Sequence, residues 1–353
     1  MQIYACTCDN SLFFDNSQCL RCGKMAGLCP ACRRIVPLEP RPDGGLRCGW
    51  DDCGVSLVRC YNSQQHNVCN WCIASDKTVA ESGDLCRSCR FTQTIPDLSV
   101  PSHHVKWYRL EQAKRRLFYN LDILGLPYGT NADGFQPPLA FDFKADVTPA
   151  GEPWRSLGQA ERVITGHANG RITINIAEAD HVERERLRVD FGESHRTLIG
   201  HFRHEIGHYY WLMLIQNQRE PDFKRVFGDP ENPTYKDAID RYYKHGPAPD
   251  WQHHFISAYA SMHPWEDWAE TFAGYLDMTA LLDTARHVGF SSVYPDADFD
   301  TLVVEYQRLG IAVNELNRGV GLLDLVPDVL VTPVVEKMRF INQVCRTVAL
   351  TPQ

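Results

Sequence analysis

Thirteen of the 14 cysteines in this 353-residue chain lie between Cys6 and Cys89, and only Cys345 falls elsewhere. They come as close pairs: Cys6/Cys8, Cys19/Cys22, Cys29/Cys32, Cys48/Cys53, Cys69/Cys72 and Cys86/Cys89, with Cys60 single. A C-x-x-C pair sits on one tight turn with both thiolates aimed at a common point. Two such turns complete a tetrahedral S4 zinc site. Pairing in chain order predicts a first site of Cys6, Cys8, Cys19 and Cys22 and a second of Cys29, Cys32, Cys48 and Cys53. A third takes Cys86 and Cys89 plus two of Cys60, Cys69 and Cys72, and spacing alone favours Cys69 with Cys72. Gly23, Gly49 and Gly54 each follow a cysteine, where a zinc knuckle often needs positive φ. A disulfide scaffold is the competing reading. Met1–Cys6 has neither a basic nor an apolar signal segment, so a cytoplasmic protein with reduced thiols is expected. No βαβ pattern surrounds the pairs, which speaks against a redox C-x-x-C.

Apolar residues are sparse in this region, so metal is expected to supply much of its folding free energy. A cysteine distribution this uneven predicts two domains: residues 1–100, a zinc-ribbon region built on about three four-cysteine sites, and residues 101–353. Residues 1–100 hold 10 Lys and Arg against 10 Asp and Glu, and the whole chain carries a net charge of −8. Arg33, Arg34, Arg87 and Arg90 are scattered rather than gathered into a stripe. That balance argues against nucleic acid as the partner. No run of 18 apolar residues occurs, so no membrane span is expected.

The second domain is organised around Leu198–Trp211, LIGHFRHEIGHYYW. Leu198, Phe202, Ile206 and Met213 recur at helical spacing. His204 and His208, four apart, share a helix face and can reach one metal ion, while Glu205 beside them can act as general base. A catalytic zinc needs a third protein ligand and an open position. His201 shares the face, but three ligands in a row along one straight helix would span about 10 Å, a poor match to a tetrahedron. His201 is therefore read as packing or support. The metzincin extension fails, because Trp211 and Leu214 stand where its Gly and His would be.

His263-Pro-Trp-Glu-Asp-Trp-Ala-Glu270 supplies the missing ligand. Pro264 suits a first helical turn, and Glu266 and Glu270 lie one turn apart on one face. Two carboxylates on an aromatic-rich helix are costly to bury unless they meet positive charge. Glu266 is assigned as third ligand, and Glu270 as the acceptor that fixes a ligand histidine's tautomer. His167, His253, His254 and His263 are read as surface or structural.

Around these helices the pattern predicts an extended linker over 95–101, a helix over Val105–Leu124 and a strand over Leu139–Lys144. It predicts a hairpin pairing Arg162–Ile164 with Arg171–Ile176 through Asn169-Gly170, then a solvated connection over Glu183–Arg188. Residues 220–252 are expected to line or cover the cleft. Helices are expected over Leu302–Leu316, stopping at Asn317-Arg-Gly319, and over Val334–Val348, with Cys345 in the core.

The stretches Gly200–Trp211 and His263–Glu270 resemble those of bacterial zinc-ribbon metallopeptidases of the gluzincin type. So do Phe13-Phe-Asp-Asn-Ser17, Cys69-Asn-Trp71 and Cys86-Arg-Ser-Cys-Arg90 ahead of Ile95-Pro96-Asp97, and the likeness covers both domains. The catalytic part is also similar to lethal-factor-type zincins. That likeness implies an oxyanion-stabilising tyrosine seven residues before the glutamate ligand, here Tyr259. The family likeness also implies Cys60, Cys69, Cys86 and Cys89 for the third site, leaving Cys72 spare or as a substitute for Cys60.

The expected fold is α+β: a zinc-ribbon region of small β-structure, then a mainly helical zincin-like domain with a small sheet. The expected function is zinc-dependent peptide-bond hydrolysis with one catalytic and about three structural zinc ions. Peptides or proteins would be substrates, and the ribbons would recognise substrate, cover the cleft or bind a protein partner. The alternative is a non-catalytic zinc-ribbon adaptor on a zincin scaffold.

Overall fold

The computed structural model describes residues 1–146, 163–190 and 197–349, with only the backbone described for 187–190. The chain divides into two compact units. The first holds Met1–Phe118, Ala140–Ile164 and Ile174–Ala179, and the second holds Tyr119–Leu139, Thr165–Thr173 and Asp180–Gln353. The first unit thus takes in more of the chain than residues 1–100.

The first unit is cysteine-built, with small β-structure. Strands β1 (Tyr4–Ala5) and β2 (Ser11–Leu12) form an antiparallel ribbon. A five-stranded antiparallel meander follows, made of β3 (Ala26–Leu28), β4 (Ile35–Pro40), β5 (Leu46–Cys48), β6 (Ser56–Arg59) and β7 (Cys72–Ala74). Helix α1 (Tyr61–His66) interrupts it between β6 and β7. The apolar clusters around the first two cysteine sets are small: Tyr4, Leu12, Ala26 and Ile35 pack on Cys6 and Cys19, while Val36, Leu38 and Leu57 pack on Cys29, Cys48 and Cys72.

Positive φ follows the second cysteine in four of the knuckles, at Asp9, Gly23, Arg33 and Gly54. Gly49 is different. Its φ is ordinary, and a Cβ there would stand 2.6 Å from the Pro37 carbonyl oxygen, so close backbone approach is what requires glycine.

Strand β8 (Thr92–Thr94) pairs in parallel with β9 (Ala140–Lys144). The next helix, α2 (Pro101–Ile123), starts earlier than its apolar periodicity suggests. Pro101 begins it because a first-turn residue needs no N–H partner. Lys114 and Glu111 on α2 form a fully buried pair at 2.9 Å, and Thr92 Oγ1 donates to Glu111 at 2.8 Å.

The second unit is mainly helical. A hairpin pairs β10 (Gly166–Ala168) with β11 (Arg171–Asn175) through Asn169 and Gly170, both at positive φ as a tight primed turn requires. The first strand of the hairpin is therefore 166–168 rather than 162–164. Val163 and Ile164 are not in a strand, and Arg162 lies outside the described residues. The stretch Glu183–Arg188 belongs to a helix, α3 (His181–Asp190), rather than to an irregular connection. Then come α4 (Leu198–Leu214), α5 (Glu220–Phe227), α6 (Tyr235–His245), α7 (Pro264–His287), α8 (Phe299–Gly319) and α9 (Thr332–Ala349). Among the described residues, no helix is long and apolar enough to cross a membrane. Cys345 is buried on α9.

Helices α4 and α7 form the centre of this unit. Tyr210 stacks on Phe272, and Trp268 packs among Phe223, Phe227 and Phe340. Gly207 lets the two helices approach closely: a Cβ there would lie 3.0 Å from Ala269 Cα, and the Gly207 carbonyl accepts from Trp268 Nε1 at 2.9 Å. Arg203 on α4 ion-pairs with Asp277 on α7 and donates to Asn120 Oδ1 at 3.1 Å. Lys337 on α9 pairs with buried Asp267 at 2.6 Å.

Candidate metal centre

Both metal-facing helices begin on side-chain caps. Thr197 Oγ1 accepts from the Gly200 N–H at 3.0 Å and opens α4. His263 Nδ1 accepts from the Trp265 N–H at 3.1 Å and opens α7, with Pro264 in the first turn. The His263 Nε2–H donates to the Pro230 carbonyl at 3.0 Å, so both of its nitrogens are engaged in structure. Glu266 then falls in the first turn of α7, where the helix N-terminus favours negative charge.

These helices bring three sequence-distant donors together. His204 Nε2 lies 3.1 Å from His208 Nε2 and 3.1 Å from Glu266 Oε2, and His208 Nε2 lies 3.5 Å from the same oxygen. A tetrahedral zinc with nitrogen and oxygen ligands at about 2.0–2.1 Å has donor–donor edges of about 3.3 Å. The triangle fits that ion. Sequence spacing links His204 to His208, but only the α4–α7 contact adds Glu266. His201, on the same helix, stands outside the donor group.

The groups around the triangle support it. The imidazole of His204 donates from Nδ1 to Glu270 Oε1 at 2.6 Å, which directs its Nε2 toward the other donors. Glu270 Oε2 accepts from Ser257 Oγ at 2.7 Å. Burial opposes charge on His204, but Glu266 and Glu270 outweigh it and hold the imidazolium well above its ordinary range in the metal-free chain. Burial likewise opposes the Glu266 carboxylate, and His208 and His204 overcome that and hold it well below. Glu205 differs: burial dominates and pushes its carboxyl up. Its Oε2 is buried with no hydrogen-bond partner among the described residues. Replacing Glu270 by Ala should cost about 10- to 100-fold in zinc affinity, read by chelator competition, without removing a ligand.

His167 is half-buried rather than exposed, and it stands outside the donor group. It lies on β10, its ring stacks on His208 at 6.4 Å, and burial lowers it to about 4. Its Nε2 accepts from the Gly170 N–H at 2.9 Å, so that nitrogen is spent within the hairpin. The Tyr259 ring lies 6.1 Å from His204, in a short turn before α7. Three contributors escaped sequence reasoning. Ser257 is an ordinary loop serine in the sequence, and Tyr235 lies 31 residues before the Glu266 it bonds. Gly207 carries a visible signal, a glycine inside a strongly helical pattern.

In the first unit, three sets of four sulfurs converge: Cys6, Cys8, Cys19 and Cys22; Cys29, Cys32, Cys48 and Cys53; Cys60, Cys69, Cys86 and Cys89. The closest sulfur pairs in these sets stand 3.6–3.8 Å apart. A disulfide would need about 2.05 Å. Zinc with four thiolates at about 2.3 Å has edges of about 3.8 Å. Cys72 stands outside the third set, buried, with Gly27 leaving room for its Sγ. The third set is the most enclosed. Backbone N–H groups of Trp71 and Cys86 point to Cys69 and Cys60 sulfurs at 3.3 Å, and the Arg115 guanidinium, 1% exposed, donates to the Val68 carbonyl at 2.8 Å.

Residues 103–344 match the family described as "Putative zinc-binding metallo-peptidase", and residues 3–100 match a zinc-ribbon domain. An uncharacterized protein of Mycobacterium bovis is 39% identical over 353 residues, covering 97% of this chain and 94% of its own length. Uncharacterized proteins of two Mycobacterium tuberculosis strains match to the same extent. No solved structure matches the chain.

Proposed function

We propose that this chain, which belongs to the zinc-binding metallopeptidase family and carries a zinc-ribbon domain ahead of the matched region, hydrolyses peptide bonds as a gluzincin. His204, His208 and Glu266 hold the catalytic zinc, and the three cysteine sets hold structural zinc. When bound, zinc supplies a Lewis acid and lowers the pKa of a coordinated water to about 7. Glu205 is the general base: it takes the proton of the attacking water on Oε2 and returns it to the leaving amine nitrogen. The observation that carries the reading is this unpartnered, buried oxygen of Glu205 on the same helix as two of the three converging donors. Glu270 orients His204, and the hydroxyl of Tyr259 is the donor for the oxyanion. The ribbons bind the substrate or a protein partner.

The test is metal stoichiometry coupled to cleavage of a peptide library. Wild type should hold four zinc ions per chain, and His204→Ala three. Cleavage should stop on chelation and return with added zinc. Four ions in His204→Ala would overturn the assignment. Four ions in wild type with no cleavage of any peptide would favour the adaptor reading instead.

A further inference from the structure

The Glu266 carboxylate has two oxygens, and the structure treats them differently. Oε2 faces His204 Nε2 at 3.1 Å and His208 Nε2 at 3.5 Å. Oε1 accepts a hydrogen bond from the Tyr235 hydroxyl at 2.9 Å. Tyr235 opens α6, and its ring is held edge-on by His263 at 5.2 Å and against Trp265 at 6.0 Å.

We infer that Tyr235 is a positioning residue that makes Glu266 a one-oxygen zinc ligand. A carboxylate free to rotate can offer both oxygens to a metal and fill the position that a catalytic site must keep open. With Oε1 engaged by Tyr235, only Oε2 is presented beside the two histidines. The phenol also fixes the carboxylate plane, so less freedom is lost when the ion binds. This role is the counterpart of the one Glu270 plays for His204: each of these ligands has its remote polar atom tied down by a neighbour. It rests on the zinc site proposed above.

The experiment uses the full-length protein at pH 7, with zinc removed by a chromophoric chelator. The ion present in wild type and missing from His204→Ala defines the site. Tyr235→Phe, which keeps the ring and loses only the hydroxyl, should bind that ion about 10-fold more weakly or worse. Tyr259→Phe should keep wild-type zinc affinity within about twofold and lose turnover. The Tyr235→Phe change should lower the Tm of the zinc-loaded protein but leave that of His204→Ala unchanged, whereas a purely structural hydroxyl would lower both alike. Wild-type zinc affinity in Tyr235→Phe, or an equal loss of Tm in both backgrounds, would overturn the inference and leave the zinc site standing. An unchanged ion count in His204→Ala would overturn the site itself.

Discussion

Glu205→Gln should bind as many zinc ions as wild type and lose about 10²- to 10⁴-fold in kcat. Glutamine is isosteric with glutamate, so the packing of α4 is preserved. The donor triangle does not use Glu205, so the metal has no reason to leave. What disappears is the carboxylate oxygen placed to accept the proton. The Glu205 side chain is 7% exposed, and burial pushes its carboxyl above its ordinary value. Restoring the group one methylene shorter, as Asp, should recover little, because proton transfer needs heavy atoms about 2.6–3.2 Å apart. Metal analysis and steady-state kinetics on one preparation decide the matter. A Gln variant that turns over normally would remove Glu205 from the mechanism, whatever the zinc content.

How far the sequence carried follows from the range of the interactions. His204, Glu205 and His208 are bound to one helix, and helical periodicity places them without tertiary information. Glu266 and Glu270 required one further physical premise, that paired carboxylates among aromatics must meet positive charge. Both lie where that premise puts them, with Glu266 at the histidines' Nε2 atoms and Glu270 on His204 Nδ1. Tyr235 and Ser257 were invisible for the opposite reason: each acts through one hydroxyl, from a helix start or a loop with no patterning to mark it. His167 misled because loop character next to Asn-Gly suggests exposure, while the ring turns inward onto His208. The strand register slipped for a related reason. The alternating residues of β11 are plain in the sequence, but its partner Gly166–Ala168 is short and apolar only at Ala168. In the ribbons, spacing joined Cys69 to Cys72, yet a C-x-x-C pair need not act as a unit. Cys69 turns toward Cys60 and Cys86, while Cys72 begins β7 and packs in the apolar cluster around Cys29 and Cys48.

That division of the cysteines leads to the second large effect. Cys89→Ser should unfold the first unit, seen as loss of its amide-exchange protection and of at least one zinc ion, whereas Cys72→Ala should leave the zinc count unchanged. The four sulfurs of the third set are each no more than 3% exposed, and they sit beside a guanidinium with 1% exposure. Four thiolates around Zn²⁺ would leave a net negative charge beside the buried Arg115 guanidinium. Removing the ion therefore removes more than a crosslink. It leaves Arg115 with only Glu111 and Asp15 as opposite charges among the described residues. Structural zinc binding is worth about 10–16 kcal/mol of apparent free energy, comparable with or larger than the whole stability of a domain, about 5–15 kcal/mol. Cys22, by contrast, is exposed at the edge of the first set, so Cys22→Ser should loosen only that knuckle. The ordering Cys89 far above Cys22, with Cys72 near neutral for metal, is the signature to look for. Loss of a zinc ion in Cys72→Ala would instead mean that Cys72, and not Cys60, completes the third site.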